Sequence, residues 1–336
     1  MKTIISTKPD EPNFQLFKNF PKSIYPVSGN RFLIPETINE DFLKSGYMLM
    51  QDGKVMARAA LYDNPYLTFN GKKSWCIGNY EAVDDATAGS DLLRNMLSVA
   101  RANGAEYVIG PMNGSTWDNY RFGTEQNQPD FFTEAVHHLY YNDHFLKAGF
   151  AVIAQYHSNI SEIPTVFDPE IAKRDVDLAN AGVVIRPINL SQYELELEKI
   201  HEFNSFAFGQ NFLYTPITKG AFIKKYLPVK TLLNPGYTLI AEDADGAMIG
   251  YYLCMDDLFN QTQKSLIFKT LVRHPDPKWR GLGHVMGNRI YQKAILDGYE
   301  TFIHPFIYNN GTSVNLSKDF SGRRLKNYVL YGKKIS

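Results

Sequence analysis

Cysteine is nearly missing from this chain: of 336 residues only Cys76 and Cys254 carry thiols. They lie far apart, each in an apolar, strand-like run, so no disulfide scaffold is expected and buried free thiols in a reducing compartment are. Net charge is missing too. Thirty-five basic and 35 acidic residues cancel, and nothing global draws the protein to nucleic acid or an anionic membrane. The opening residues turn polar by Thr7, and no apolar run approaches a signal-peptide core or a bilayer span, so a cytoplasmic, non-membrane protein is expected. No Gly-x-Ser-x-Gly elbow, Walker loop or zinc spacing occurs. His137, His138 and His144 lack the neighbouring Cys or Glu-x-x-His that a metal site needs, so no metal is expected. Trp75, Trp117 and Trp279 could stack on bases, but without a basic surplus nucleic-acid binding is not expected.

What is present is enough apolar material, 44% of residues, for two cores; the usual domain size favours two domains of roughly 150 to 180 residues. The chain also matches itself. Displaced by 194 residues, Gly89 falls on Gly283, Ala100 on Ala294, Gly104 on Gly298, Glu106 on Glu300, Ile109 on Ile303 and Pro111 on Pro305. Asp52-Gly53 meets Asp245-Gly246 after a one-residue shift, and Asn113-Gly114 meets Asn310-Gly311 after a short gap. Such self-similarity points to duplication of one α/β unit. In the second copy we expect a strand at 183–188, helices at 192–208 and 219–226, and a hairpin of 237–242 and 248–255 around Asp245-Gly246. A strand at 265–272, a helix at 284–296 ending at Asp297-Gly298, and a strand at 301–307 that Pro305 interrupts complete it. A linker is expected at 166–182, between domains 1–165 and 183–336.

Between the strand ending at Val272 and the helix beginning near His284 lies Lys278-Trp279-Arg280-Gly281-Leu282-Gly283. Two glycines one residue apart let successive N–H groups converge on an anion at a helix start, where the dipole also favours negative charge. By itself the pattern is equally that of an ordinary strand-to-helix turn.

The order of elements and this turn together resemble the GCN5-related N-acetyltransferase (GNAT) superfamily. Its signature reads Gln or Arg, two residues, Gly, one residue, then Gly or Ala; here Lys278 stands at the first position. The resemblance covers roughly 183–335 and implies an α+β fold: two tandem GNAT domains, each a mixed, mostly antiparallel sheet flanked by helices, the first degenerate. In that first copy Asp84-Asp85-Ala86-Thr87-Ala88-Gly89 replaces the basic turn, putting two carboxylates where phosphates would lie, and 144–156 looks like the family's closing hairpin.

The resemblance implies acetyl-CoA or another acyl-CoA as co-substrate, its pyrophosphate on amides of Trp279 to His284 and its pantetheine arm along Leu271 and Val272. Asn310 and Ser313 fall at further coenzyme positions. Ser317 stands where the family often has the tyrosine that protonates the leaving thiolate, so water, Tyr328 or Tyr331 is expected to do so. For a base, His304 comes first and Glu242 second, with Asp256, Asp257 and His274 also near strand ends. The expected activity is N-acyl transfer to a small amine, amino acid or peptide terminus; a non-catalytic coenzyme- or peptide-binding module is the alternative. A homodimer is compatible with this reading.

Overall fold

The computed structural model describes residues 1–26, 29–33, 36–162, 168–311, 317, 320 and 322–336. The chain folds into two compact units, one of 1–156, 212–215 and 326–336, the other of 157–211 and 216–325. Among the described residues no helix is long and apolar enough to cross a membrane.

The first unit contains β1 (Lys2–Thr7), α1 (Asn13–Asn19), β2 (Leu43–Gln51), β3 (Lys54–Tyr62), β4 (Thr68–Phe69) and β5 (Lys72–Ala82). After them come α2 (Ala86–Ala102), β6 (Tyr107–Gly110), β7 (Phe122–Gly123), α3 (Tyr141–Lys147) and the start of β8 (Ala151–Glu162). The second carries α4 (Pro169–Asn180), β9 (Val184–Pro187), α5 (Tyr193–Ala207), α6 (Lys219–Tyr226), β10 (Thr238–Glu242) and β11 (Met248–Asp256). It continues with β12 (Ser265–Arg273), α7 (Leu282–Leu296) and β13 (Thr301–Tyr308), and β14 (Arg323–Lys334) ends the chain.

Each unit is a mixed, mostly antiparallel sheet flanked by helices. In the first, β1, β2, β3 and β5 pair antiparallel in that order, β6 joins β5 in parallel, and β14 adds to β6 antiparallel. In the second, β9, β10, β11 and β12 pair antiparallel and β13 joins β12 in parallel. A parallel pair needs a crossover, and in both units a helix supplies it: α2 between β5 and β6, α7 between β12 and β13. The crossover helices bury matching apolar stripes, Leu92, Leu93, Met96 and Ala100 in one core and Val285, Met286, Ile290 and Ala294 in the other.

Local chemistry explains most of the repeated residues. Gly104 and Gly298 take left-handed φ values of 85° and 81° just past their helices. In both, the glycine N–H bonds the carbonyl of the last helix residue but one, Gly104 to Arg101 and Gly298 to Ile295, and the following N–H reaches the repeated alanine, Ala105 to Ala100 and Tyr299 to Ala294, which is a Schellman cap. The N–H groups of Glu106 and Glu300 then bond the carbonyls of Lys73 and Lys264, setting the parallel register in which Ile109 faces Cys76 and Ile303 faces Ile267. Asp52-Gly53 and Gly246 have positive φ in the two hairpin turns. Gly89 and Gly283 are not equivalent: α2 starts after Asp85, α7 after Gly281, so Gly89 lies one turn into its helix.

Three expectations change. The linker of 166–182 contains a helix, α4, capped by the Asp168 side chain on Glu170 N–H with Pro169 at its first turn; its Leu178 is buried in the second core. The expected hairpin at 144–156 is α3 followed by β8, turning at Gly149. The end of the chain belongs to the first unit, where Val329, Tyr331 and Ile335 are buried. Cys76 and Cys254 are both buried and free.

Candidate functional site

The turn into α7 is built from its own backbone. Asp276 accepts from Lys278 N–H at 2.9 Å and closes a short 3-10 turn over Pro277–Trp279. The Trp279 indole is buried in the second core and anchors the segment. Gly281 caps the helix at φ 88°, a conformation that strains any side chain, and no side chain caps the helix. Val285 N–H is bonded back to the Gly281 carbonyl at 3.1 Å, so the amides of Gly281, Leu282 and Gly283 lie ahead of the bonded turns, at the positive end of the helix. The amides of Trp279 and Arg280 are engaged within the turn, on the carbonyls of Asp276 and Pro277. This set is shorter than the run from Trp279 to His284 expected to face an anion. The side chains of Lys278 and Arg280 are exposed beside it.

Beside this turn the sheet opens. β12 and β13 pair only over Ser265 to Ile267 against Thr301 to Ile303. Pro305, which has no N–H to donate, follows one residue later, after His304, and Phe306 beyond it has φ 58°. Leu271 and Val272 remain paired with Tyr252 and Tyr251 of β11 on their other side. A parted strand pair thus runs up to the mouth of α7.

The first unit has the same parting and fills it. Met112 N–H bonds the Ile77 carbonyl at 2.8 Å, and the Asn113 side chain accepts from Asn79 N–H at 2.8 Å. A methyl group added at Gly78 would lie 2.4 Å from the Met112 carbonyl oxygen. The α2 terminus is capped as well: Asp85 accepts from Thr87 and Ala88 at 2.9 and 3.0 Å, and these bonds hold its carboxyl below the usual range. Over Gly89 sit Tyr80 and His144, hydrogen-bonded to each other at 2.7 Å.

None of the three catalytic candidates stands at the parted strands with a free proton-transfer group. His304 is buried on β13, its Nε2 2.6 Å from the Tyr291 hydroxyl and its ring against Phe268, and burial pushes its pKa down to about 4. Glu242 ends β10, two strands from the opening. Arg186 grips it at 2.6 and 3.0 Å and holds its carboxyl low, the wrong direction for a base. Tyr328 lies in the first unit, donating to Glu134 at 2.8 Å, and Tyr331 donates there to Asn142 at 2.9 Å.

Of the lesser candidates, Asp256 accepts from the Tyr299 hydroxyl. Asp257 is buried. His274 accepts from Asp276 N–H at 3.1 Å and stacks on Phe206. Asn310 is exposed past the end of β13, and Ser313 lies outside the described residues. Ser317 is buried and accepts from Asn159 at 2.8 Å. The sequence reading missed Arg174 of α4, whose guanidinium bonds the carbonyls of Lys278 and Arg280 at 2.6 and 2.8 Å.

Neither a protein-family model nor a curated protein matches the sequence. Solved structures do match the fold. A GCN5-related glucosamine N-acetyltransferase region of a fungal multi-domain β-N-acetylglucosaminidase aligns at a TM-score of 0.57 and 13% identity over 99% of this chain, which spans only 38% of that one. A GCN5-related N-acetyltransferase from Sphaerobacter thermophilus aligns at 0.55 and 13% identity over 99% of this chain and 96% of its own. A tandem GNAT protein from the clavulanic acid biosynthesis pathway aligns at 0.57 and 10% identity over 100% of this chain and 99% of its own. With a parallel strand pair, crossover helix and parting repeated in each half, the chain carries the tandem fold of the GCN5-related N-acetyltransferases.

Proposed function

We propose that this protein is an acyl-CoA-dependent N-acyltransferase whose second unit holds the coenzyme. The observation that carries this is a contrast: at α7 an uncapped helix mouth adjoins a parted strand pair, whereas at α2 Asp85 and the chain around Met112 fill both places. The residues fit the group. Gly281 supplies the one conformation a side chain would strain, Leu282 and Gly283 add amides, Lys278 and Arg280 add charge, and Leu271 and Val272 border the slot for the pantetheine arm. Acyl-CoA supplies the acyl group as a thioester; an amine nitrogen forms the C–N bond as the C–S bond breaks, and the thiolate takes up a proton. The chain's share is to bind and orient the donor. The buried His304 and the ion-paired Glu242 leave deprotonation of the amine to solvent.

The acceptor is a small amine, amino acid or peptide terminus. A fold neighbour described as a glucosamine N-acetyltransferase region supports the first of these, and acetyl is the acyl group proposed. A non-catalytic coenzyme-binding module is the second reading, favoured by the placement of His304, Glu242 and Tyr328 away from the opening.

His284→Glu tests the coenzyme site. At the third helical position a glutamate stabilises a helix start, while its charge competes for the amides and repels the diphosphate. Calorimetry should show CoA affinity lowered at least about tenfold with an unchanged or raised melting temperature. Undiminished binding would place the coenzyme elsewhere. Thiol release on addition of an amine panel to the wild-type protein and acetyl-CoA separates enzyme from binder.

A further inference from the structure

α4 is a short helix with five charged residues among its twelve, and two of them work on α7. Asp175 forms a fork with Arg289 on the flank of α7, at 2.6 and 3.1 Å. Arg174, the preceding residue, reaches the turn itself: its Nη2 donates to the Lys278 carbonyl at 2.6 Å and its Nε to the Arg280 carbonyl at 2.8 Å. Its Cγ lies 3.0 Å from where a Cβ on Gly281 would be, so the side chain rests on the glycine.

A trans peptide is planar, with C=O and N–H pointing to opposite sides. Holding the Arg280 carbonyl therefore fixes the direction of the Gly281 N–H, the first amide at the mouth of α7. A guanidinium can do this because it presents several donors in a rigid plane, which an ammonium does not. The electrostatics point the same way. A cation at a helix N-terminus has the wrong sign for the helix dipole, and here Arg174 joins the exposed Lys278 and Arg280. Asp276, 4.0 Å from Lys278, offsets part of this charge at the turn itself. An anion brought to this turn would meet charge of the opposite sign.

We infer that Arg174 is a positioning residue for the coenzyme diphosphate, acting from α4 by locking the Arg280–Gly281 peptide with its N–H toward the anion; this rests on the coenzyme site proposed above. Arg174→Ala should weaken CoA binding about tenfold by calorimetry and raise KM for acetyl-CoA without lowering kcat. Arg174→Lys should recover part of the affinity. Because the lock serves the diphosphate, KM for S-acetyl-N-acetylcysteamine, which has none, should not change in Arg174→Ala.

Asp175→Ala loosens the same helix pair without touching the turn and should leave CoA affinity within about twofold. Equal losses in the Arg174 and Asp175 variants, or an equal loss with the short donor, would reduce Arg174 to helix docking and overturn the inference. Wild-type binding with no loss in Arg174→Ala would overturn it alone. Failure of the wild-type protein to bind CoA would overturn the coenzyme site and this inference together.

Discussion

His304 shows how burial settles what a titratable side chain can do. Enclosed by Tyr291, Phe268 and Phe320, it is more easily left neutral than charged, and its pKa falls from 6.5 to about 4. The unfolded chain therefore takes up a proton between these values before the folded one does, and stability falls as pH drops from 6.5 to 4. The loss attributable to this residue is about 3 kcal/mol at most. His137 and His144, also lowered by burial, act in the same direction. Urea midpoints at pH 7.5 and 4.5 should differ less in His304→Gln than in the wild type, and an unchanged difference would show that His304 is not the neutral group described. The glycine turn was legible in the sequence because its chemistry is local. The fate of His304 was not, since strand alternation says that successive side chains face opposite ways but not which face is wet.

At the scale of elements, the pieces that could be read were those specified by neighbouring residues. The Asp245-Gly246 turn, the Gly298 cap, and β12, α7 and β13 fall within a few residues of expectation. α4 escaped because Pro169, the charged run Lys173-Arg174-Asp175 and Asn180-Ala181-Gly182 read as a connection, although Asp168, Pro169 and Glu170 carried a complete helix-start signal. Its attachment nevertheless depends on Leu178, only 1% exposed, with Ile171 partly buried beside it. Leu178→Ala should cost about 2 to 4 kcal/mol by denaturant unfolding. A cost under about 0.5 kcal/mol, the range of surface substitutions, would mean that α4 is a passive connection. The segment 144–156 was misread for a related reason: a Lys-x-Gly-Phe sequence fits the end of a helix as well as a hairpin, and tertiary packing of Tyr141, His144 and Phe145 decides for the helix.

At the scale of the whole molecule, sequence order and spatial order part company. A strand's own pattern shows that one face is buried but not which sheet receives it, so the expected boundary gave the chain's last strand to the wrong half. From Lys326 onward β14 completes the first unit: Tyr331, Gly332, Lys333 and Lys334 face Gly110, Ile109, Val108 and Tyr107 of β6. Val329, Tyr331 and Ile335 enter its core. Lys326, almost wholly buried, is paired with Asp130 at 2.8 Å and Glu134 at 2.9 Å, and Tyr328 adds a hydrogen bond to Glu134. A chain ending at Leu325 loses all of this at once. It would leave Glu134 buried without its cation, a defect of about 3 to 5 kcal/mol by itself, and bare the edge of a strand only four residues long. That is a large share of the roughly 5 to 15 kcal/mol that holds a domain folded. Amide hydrogen exchange should show Val108, Ile109 and Gly110 losing protection in the shortened chain. Native protection at these three amides would mean that β6 does not depend on the C-terminal strand and would return the boundary to its place in the sequence.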